Sequence, residues 1–475
     1  MSENPYHQIP YITYPRLLTH PDRLAAVGKL FGMNPAPLRG CRVLEIGCGD
    51  GNNLIPIAYA LPESRFLGID LAPGAIAAGR RAIEVIGLKN ISLEALDLCT
   101  INASFGEFDY ILAHGVYSWV PREVREGLMK VCGERLAPNG IAMVSYNALP
   151  GGYARQLMRD LMCFHTRNHT DPAQRIDEAR RILRLLIESE SLPPNWQAFL
   201  ESEAASVLER NADSVFHDEL EDNNHPAYFR DFAQHAARHG LQYLGEGEPH
   251  RMFDLAARLD ELSDDLMERE QYLDFLRARS FRHTLLCRQG VELSHRPTAS
   301  QMEGFLFSAP TIQVEGGQLE GLRGVRITSA HEAVYRVAHA LGETFPVPIA
   351  FDDLVPYAGS PEALQEIIFG LLTGGFANLH VFDFPCEDSV TLKPLANRVV
   401  RYQAALSPFV ASACHNTVQL DEVGRHLLLL MDGTRDHEQL ARDLAAIPGA
   451  PPIEQIREHL LNSLEWLAAK ALLEA

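Results

Sequence analysis

Apolar positions in the first 150 residues alternate between short continuous runs and segments with helical spacing. The predicted strands lie at 42–47, 65–70, 90–98, 108–113 and 141–146, and the first of them is a short apolar run typical of a buried strand. The helically spaced segments lie between them, at 53–61, 73–87 and 122–136. Strands that alternate with helices in this way predict a doubly wound, Rossmann-like α/β sheet.

The pattern changes after the fifth predicted strand. Residues 153–222 are helical in pattern and carry no convincing strand, which predicts a helical insertion. Strand patterns return at 241–245 and 283–288, on either side of a charged helical segment at 262–279. We therefore expect the α/β domain to cover residues 1–290, with its sheet completed after the insertion.

The remaining residues predict two further domains. Short strand and helix signals, interrupted by proline and glycine, predict a middle α+β domain at 291–395. Residues 396–475 are mostly helical and predict a C-terminal domain. A length of 475 residues is consistent with about three domains.

Composition and charge exclude several classes of protein. Hydrophobic residues make up 46% of the chain and charged residues 22%, as in globular rather than disordered or fibrous proteins. The net charge of −20 argues against non-specific binding to nucleic acid and against docking on anionic membranes. We expect no secretory signal, because the first residues lack a basic head followed by an apolar stretch. We also expect no membrane span, because no apolar run approaches about 18 residues.

The cysteines and histidines indicate neither disulfides nor a metal site. The eight cysteines are scattered and form no Cys-x-x-Cys pair, which predicts reduced thiols in a cytoplasmic protein. His165 and His169 have the i, i+4 spacing of metal ligands on a predicted helix. However, no glutamate lies between them and no third ligand is evident, so the sequence predicts no metal site.

The residues with the clearest chemistry lie in a glycine-rich turn, EIGCGDGN at 45–52, between a strand and a helix. Glycines permit a tight turn and let backbone N–H groups approach a ligand closely. Asp70 ends the next strand, where a carboxylate can accept both hydroxyls of a ribose. Asp97 follows the third strand, and with Leu98 it is placed to meet an adenine ring. These positions predict a nucleoside cofactor at the carboxyl edge of the sheet.

The spacing of the glycines narrows the choice of cofactor. It is G-x-G-x-G rather than the G-x-G-x-x-G of dinucleotide sites, and the lysine of a P-loop is absent. The pattern resembles the S-adenosylmethionine (SAM) site of class I methyltransferases, which implies SAM as the cofactor and S-adenosylhomocysteine as the product. The resemblance assigns cofactor contacts to Glu45, Gly47, Cys48, Gly49, Asn52, Asp70, Leu71, Asp97 and Leu98.

Further motifs extend the resemblance along the chain. They are AHGVYSWVP at 113–121, SYN at 145–147, LPGG at 149–152 and FHDELE at 216–221. With them, the chain resembles bacterial methyltransferases that carry a methyltransferase regulatory domain, here at 216–290. Some members of that group methylate lysines of outer-membrane proteins. The stretch at 424–444 resembles the winged-helix tail of the same lysine methyltransferases, which implies a winged-helix-like fold for the C-terminal domain.

The segment after the fourth strand supplies candidates for the acceptor side of the reaction. That strand is expected to end beside the methyl group of the cofactor, so His114, Tyr117 and Trp119 are predicted to face the acceptor. Aromatic faces attract a cationic amine or sulfonium. His114 could remove a proton from the acceptor, because its ordinary pKa is near neutrality. We predict His114, Tyr117, Trp119 and Tyr146 as catalytic residues, and His114 also as a cofactor contact; packing roles are the alternative.

Residues before the sheet and in the insertion each have two possible roles. The resemblance implies that the N-terminal segment folds over the cofactor, so Tyr14 and His20 are predicted cofactor contacts, with a surface arm as the alternative. His217 and Glu219 either reach the pocket as a lid or form a helix cap or salt bridge, which we favour. Asn147 either lines the acceptor pocket or is structural.

Three functions fit these residues. The resemblance favours transfer of methyl groups from SAM to lysine side chains of a protein substrate. A small-molecule N- or O-methyltransferase, with the extra domains as a lid or as oligomerisation elements, is the first alternative. A non-catalytic SAM-binding scaffold is the second. A homodimer is compatible with the sequence, whereas DNA binding by the tail is not, because residues 436–475 carry seven acidic side chains against three basic ones.

Overall fold

The computed structural model describes residues 13–188, 193–221, 223–253, 259, 261–314, 317–386 and 390–474. Its main feature is an eight-stranded sheet in the N-terminal half of the chain. The strands are β1 Arg42–Ile46, β2 Arg65–Asp70, β3 Ile91–Ala95, β4 Phe108–Ala113, β5 Leu136–Leu149, β6 Ala227–Tyr228, β7 Leu241–Glu246 and β8 Phe281–Arg288.

Further short strands form small sheets in the C-terminal half. They are β9 Leu306–Ser308, β10 Ile312–Gln313, β11 Leu319–Glu320, β12 Arg326–Ile327, β13 Ile349–Ala350, β14 Asn378–His380, β15 Phe409–Ala411 and β16 Thr417–Gln419.

The described helices pack around these sheets. They are α1 Pro21–Leu30, α2 Leu54–Ala60, α3 Pro73–Ile86, α4 Arg122–Arg135, α5 Gly152–Thr166, α6 Pro172–Ile187, α7 Pro194–Leu208, α8 Ala212–Ser214, α9 Phe229–Arg238, α10 His250–Phe253, α11 Leu266–Arg277, α12 Glu332–Thr344, α13 Phe351–Ala358, α14 Pro361–Thr373, α15 Arg398–Leu406, α16 Glu422–Leu430, α17 His437–Ala445 and α18 Ile453–Ala469. Within the described ranges, no helix combines the length and the apolar character needed to cross a bilayer.

The strand order of the large sheet is β3-β2-β1-β4-β5-β8-β7, with β6 paired beside the end of β5. Strands β1 to β5 run parallel to one another, and β8 runs antiparallel to both β5 and β7. This arrangement confirms the predicted Rossmann-like α/β sheet. Because β3, β2, β1 and β4 are neighbours, the predicted site residues that follow these strands lie along one edge.

The central strands are buried on both faces, which explains why most of their residues are apolar. Val43 and Leu44 point to opposite faces of β1, and both are fully buried. The same holds for Tyr110 and Ile111 in β4. Helices on both sides of the sheet exclude water from these positions, so no alternation of polar and apolar residues is needed.

Two predicted element boundaries differ from the structure. α4 ends at Arg135, and β5 begins at Leu136 and not at residue 141. The predicted turn at Pro138–Gly140 therefore lies within the strand. The pairing of β5 with β4 jumps from Phe108↔Leu136 to Tyr110↔Ile141, which places the extra residues in a bulge. The charged helix begins at Leu266, because Asp265 accepts a hydrogen bond from the Glu268 N–H and caps it there.

The segment between β5 and β6 is helical and has a small apolar core of its own. Helices α5, α6 and α7 are followed by α8 and by a π-helical turn at Val215–Glu219. Met162, Leu183 and Val215 are fully buried in this core. The segment therefore packs as a unit beside the carboxyl end of β5.

The middle part of the chain shares its apolar core with the large sheet. Phe307 in β9 and Leu341 in α12 belong to the same buried cluster as Leu24 in α1. A buried polar contact reinforces the junction, because the Asp22 carboxylate accepts hydrogen bonds from the Val381 N–H and from His380 Nδ1, each at 2.7 Å. The predicted boundary at 290/291 thus divides two parts of one continuous core.

The last part of the chain has a separate core. It combines the β15–β16 hairpin with α15 to α18, around buried residues such as Leu428 and Leu464. It contacts the large domain through Arg398, whose Nη1 donates to the Ile86 carbonyl oxygen at 2.9 Å. The Tyr59 hydroxyl also donates to Glu474 Oε1 at 2.6 Å.

Candidate active site

The glycine-rich turn lies at the carboxyl end of β1. The N–H groups of Gly47 and Cys48 donate to the Ile69 carbonyl oxygen at 2.8 and 3.0 Å, which anchors the turn to the end of β2. Gly47 and Gly49 have φ angles of +75° and +55°, in the left-handed region that favours glycine. A Cβ on Gly47 would lie 2.8 Å from Val116 Cγ2. The turn therefore requires glycine for both conformation and space.

Asp70 joins the end of β2 to this turn. Its Oδ2 accepts a hydrogen bond from the Gly49 N–H at 2.9 Å, and its Oδ1 accepts one from the Ala72 N–H at 2.8 Å. The side chain is half-buried. Each carboxylate oxygen has a second lone pair, so Asp70 can hold the turn and still accept ribose hydroxyls. Leu71 follows it with 64% of its surface exposed and offers an apolar contact beside that position.

Asp97 and Leu98 follow β3 on the same edge. Asp97 is exposed, and its Oδ1 accepts a hydrogen bond from the Cys99 N–H at 2.9 Å, which caps the turn Leu98–Thr100. Leu98 is largely buried. The exposed carboxylate retains acceptor capacity for an adenine amine, and Leu98 contributes to the apolar floor beside it.

Cys48 and Asn52, two further predicted cofactor residues, have side chains that contact the protein itself. The Cys48 side chain is buried against Gly68, so only its backbone lies in the turn. Asn52 donates from Nδ2 to Asp50 Oδ2 at 2.9 Å. Asp50 in turn accepts a hydrogen bond from the Thr13 hydroxyl at 2.5 Å. These contacts give Asn52 a role in shaping the turn, while its cofactor contact stays a prediction.

Glu45 is a buried carboxyl group with one unsatisfied oxygen. Its Oε1 accepts a hydrogen bond from Asn53 Nδ2 at 2.7 Å, whereas its Oε2 has no hydrogen-bond partner among the described residues. Burial raises the pKa of Glu45 to about 8, and the nearby carboxylates of Asp50 and Asp70 add to this effect. A buried carboxyl with an open oxygen suits a cationic group. The methionine end of SAM carries an ammonium, so the residues present fit this cofactor.

Asn53 holds Glu45 in place and was not among the predicted site residues. Asn53 Oδ1 accepts hydrogen bonds from the Arg16 N–H at 2.9 Å, the Thr19 hydroxyl at 3.0 Å and His415 Nε2 at 3.0 Å. Asn53 thus joins the N-terminal segment, the glycine turn and the C-terminal domain. Its place directly after the turn was a signal, but nothing in the sequence marked His415.

Tyr14 and His20 lie where the N-terminal segment meets the C-terminal domain. The Tyr14 ring packs edge-on against Phe409, with 5.6 Å between ring centroids. His20 is buried, and its Nδ1 accepts a hydrogen bond from the Asp22 N–H at 3.1 Å and so caps α1. Burial lowers the pKa of His20 to about 4. The contacts of both residues with a cofactor stay predictions.

His114 follows β4 and is the acceptor-side candidate that the structure leaves available. Its ring is parallel to that of His283, with 5.5 Å between centroids, and its Nδ1 has no hydrogen-bond partner within the described segments. Burial and the neighbouring His283 hold the pKa of His114 well below its ordinary value. The imidazole is therefore neutral at pH 7, and in the tautomer with its hydrogen on Nε2 it can accept a hydrogen bond at Nδ1.

Tyr117 and Tyr146, which are predicted as catalytic residues, are both buried. Tyr146 is 1% exposed and stacks on Phe232, with 4.1 Å between ring centroids. Tyr117 is 4% exposed, and its hydroxyl is hydrogen-bonded to His235 Nδ1 at 2.8 Å. Both rings pack under α9, whose position the local sequence does not reveal. These surroundings match the packing alternative, and a catalytic role for either residue stays a prediction.

The remaining candidates face the helical insertion. The Arg159 guanidinium lies 5.4 Å from the centre of the Trp119 ring, so Trp119 packs on α5. Asn147 Nδ2 donates to Asn224 Oδ1 at 2.8 Å. Glu219 is fully buried and pairs with Arg155 at 2.7 Å and with Arg210, in agreement with the favoured salt-bridge interpretation.

The other candidate histidines are His217, His165 and His169, and their surroundings do not indicate a ligand site. His217 is buried beside Phe216, with 5.1 Å between ring centroids. His165 Nε2 lies 3.0 Å from Glu178 Oε2. His169 lies beyond the end of α5 at Thr166, so the two histidines do not share a helix as predicted. In the described part of the chain, neither belongs to a group of three metal-binding side chains.

The raised pKa of Glu45 predicts a pH-dependent affinity for SAM. Since the free site holds a protonated carboxyl below about pH 8, binding of a cationic group must release that proton. We expect the affinity to fall by up to about tenfold for each pH unit below 8, measured by calorimetry from pH 6 to pH 8. The variant Glu45→Gln should bind more weakly and lose this slope. An equally steep profile in the variant would assign the titration to another group.

Comparisons with known proteins agree with the geometry of the site. A family model described as a methyltransferase domain matches residues 44–142. A second, described as a predicted methyltransferase regulatory domain, matches residues 211–288. A third, described as the C-terminal winged helix domain of PKMT, matches residues 393–447.

Similar proteins cover nearly the whole chain. The uncharacterized protein RP789 of Rickettsia prowazekii is 30% identical over 468 residues, which span 92% of this chain and 85% of the relative. The structure of PKMT2 from Rickettsia typhi superimposes with a TM-score of 0.85 and 26% identity, covering 98% of this chain and 100% of PKMT2. A structure of the same protein in complex with AdoHcy has a TM-score of 0.83 and 27% identity, with the same coverage.

The glycine turn, the three strand-end acids and the matched domains lead to one conclusion. The chain belongs to the SAM-dependent methyltransferases that join a methyltransferase domain to a methyltransferase regulatory domain and a C-terminal winged helix of the PKMT type.

Proposed function

We propose that this methyltransferase transfers methyl groups from SAM to lysine side chains of a protein substrate. The observation that carries the proposal is the similarity to Rickettsia typhi PKMT2, a protein lysine methyltransferase, over 98% of the chain. That similarity includes the PKMT-type winged helix, which a methyl transfer reaction by itself does not require.

We assign each part of the cofactor to a different residue at the sheet edge. SAM supplies a methyl group bonded to a positively charged sulfur. Asp70 would accept the ribose hydroxyls, Asp97 the adenine amine, and Glu45 the ammonium. Because Asp70 also accepts the N–H of Gly49, ribose binding and the shape of the turn are coupled.

His114 is the residue that we assign to the acceptor side. A lysine ammonium has no lone pair, so it must lose its proton before its nitrogen can attack a methyl group. His114 has a lowered pKa and an unpartnered Nδ1 at the end of β4. A neutral imidazole adds no positive charge beside a cationic sulfonium. Because its pKa is low, His114 would not take the ammonium proton, which would pass to water, but it can orient the neutral amine through a hydrogen bond.

The contact between the winged helix and the cofactor site supports a protein substrate. His415 reaches Asn53, and Asn53 holds the buried Glu45. The Thr417 hydroxyl also donates to the Pro15 carbonyl oxygen at 3.4 Å. A protein bound by the C-terminal domain would therefore lie close to the site of chemistry.

A small-molecule acceptor is the alternative. A cavity of about 440 Å³ lies at the carboxyl end of β5 and is lined in part by Tyr117, Leu149 and Tyr228. Its volume suits a small metabolite, but its lining includes neither His114 nor the residues that we assign to the cofactor. The assay below separates this alternative, and that of a non-catalytic scaffold, from the main proposal.

We also infer the cellular setting from composition. The eight cysteines all lie in described segments and form no disulfide, as expected for a protein of the reducing cytoplasm. The net charge of −20 argues against a nucleic-acid substrate. A homodimer is compatible with the proposed function, and the mass of the purified protein in solution tests it.

The proposed activity is tested with SAM carrying a labelled methyl group. Purified enzyme is incubated with a bacterial extract that contains envelope and cytosol, and protein is then precipitated. We expect label in the precipitate, stable to mild base as N-methyl groups are, and peptide mapping should place it on lysines. The variant Asp70→Ala should transfer little label. Label that stays in the soluble fraction would instead support a metabolite acceptor, and label in neither fraction would favour the non-catalytic scaffold.

A further inference from the structure

Three side chains with metal-binding atoms meet between α4 and α9, behind Tyr117. His235 Nε2 and His239 Nε2 each lie 3.2 Å from Glu126 Oε2, and the three atoms are all within 4.8 Å of one another. His235 lies in the last turn of α9, and His239 follows directly at its C-cap. The i, i+4 spacing turns both rings toward α4, which carries Glu126.

The buried nitrogen of His235 lacks a hydrogen-bond partner. His235 is 6% exposed, and its Nε2 makes no hydrogen bond with any described residue although Glu126 Oε2 lies 3.2 Å away. Its other nitrogen, Nδ1, is hydrogen-bonded to the Tyr117 hydroxyl at 2.8 Å. A buried ring nitrogen without a partner is costly. The tautomer that donates from Nδ1 to Tyr117 leaves the Nε2 lone pair directed at the cluster.

The separations fit a tetrahedral metal ion. Zinc binds imidazole nitrogen at about 2.0–2.1 Å and carboxylate oxygen at about 2.0–2.2 Å, which places neighbouring ligand atoms about 3.3–3.5 Å apart. The two contacts of 3.2 Å with Glu126 are near this spacing, and the two histidine nitrogens lie within 4.8 Å of each other. Two imidazoles and one carboxylate, with a fourth position for water, form a known zinc donor set.

We propose that Glu126, His235 and His239 form a Zn²⁺ site that joins the methyltransferase domain to the regulatory domain. Glu126 lies within residues 44–142, which match the methyltransferase domain, and the two histidines lie within 211–288. Through Tyr117, the ion would also stiffen the segment that follows β4 and carries His114. The Arg238 guanidinium, 3.9 Å from Glu126 Oε1, is 62% exposed and can turn toward solvent when the ion binds.

The test uses the full-length chain after treatment with a chelator. Titration with Zn²⁺, followed by calorimetry, should give one tight site per chain. Co²⁺ in the same site should give the intense visible absorption of a tetrahedral complex. His239→Ala and Glu126→Gln should each weaken Zn²⁺ binding at least about 100-fold and abolish the Co²⁺ band. Tyr117→Phe removes only the bond to the ligand His235 and should weaken binding about tenfold.

A matched control comes from the helical insertion. His165 Nε2 lies 3.0 Å from Glu178 Oε2, which is the same kind of contact without a second histidine in reach. His165→Ala should leave Zn²⁺ affinity and stoichiometry unchanged. Circular dichroism of the metal-free variants would show that His239→Ala and Glu126→Gln are folded. Absence of tight binding to the wild type, or binding that survives in both variants, would overturn the proposal.

Discussion

Replacing Asp70 with alanine should lower the affinity for SAM at least about 100-fold, or about 2.7 kcal/mol. The substitution removes a charged acceptor for the ribose hydroxyls, and hydrogen bonds to charged groups contribute about 1.5–3 kcal/mol each. It also releases the N–H groups of Gly49 and Ala72, which Asp70 holds in the free protein. The dissociation constant measured by calorimetry tests this expectation, and the KM for SAM in the methyl-transfer assay tests it independently.

Asp109 provides a matched control for Asp70. It is also a half-buried aspartate that accepts a backbone hydrogen bond, from the Arg42 N–H at 2.8 Å. However, it lies at the opposite, amino edge of the parallel strands. Asp109→Ala should therefore leave SAM affinity within about twofold of the wild type. Unchanged affinity in Asp70→Ala would show that the cofactor does not bind at the carboxyl edge as assigned.

Replacing Arg282 with methionine should lower the free energy of unfolding by about 3–5 kcal/mol. Arg282 in β8 is fully buried and pairs with Glu246 at 2.6 Å, Glu270 at 3.0 Å and Asp274 at 2.8 Å. Methionine keeps much of the volume of the side chain but none of its charge. The substitution would leave three buried carboxyl groups without Arg282, and Arg279 contacts two of them, Glu270 and Asp274.

Urea denaturation followed by circular dichroism tests the role of Arg282. The control is Arg326→Met, which removes a pair of similar length, 2.8 Å to Glu320, at a site where the arginine side chain is 56% exposed. An exposed pair contributes about 0–1 kcal/mol, so the control should unfold nearly as the wild type does. Equal unfolding midpoints for the two variants would contradict a stabilising role of the buried cluster.

The large sheet was predictable because its signals are local. The apolar residues of β1 and β4 predict that both faces of these strands are buried, and the pattern is complete within about six residues. The start of β5 was not predictable in the same way, because the bulge beside Tyr110 depends on pairing with β4. β4 pairs with Leu136 before the Pro138–Gly140 turn signal and with Ile141 after it, so these residues form a bulge within β5.

The cofactor edge was also predictable, whereas the acceptor side was only partly so. Asp70 and Asp97 follow strands whose ends meet by the rule of parallel sheets, so their positions depend on topology alone. Tyr117 and Tyr146 lie equally close to strand ends, but α9 covers them. Whether an aromatic residue faces a ligand or a helix depends on what packs over it.

The sequence by itself determined the α/β sheet, the glycine turn and the acids that follow its strands, because each depends on residues adjacent along the chain. The tertiary structure alone brought His415 to Asn53 across 362 residues, and His239 to Glu126 across 113. It also set the raised pKa of Glu45, which burial produces. Such properties arise when distant segments exclude water from a polar group, and no local pattern of residues encodes that exclusion.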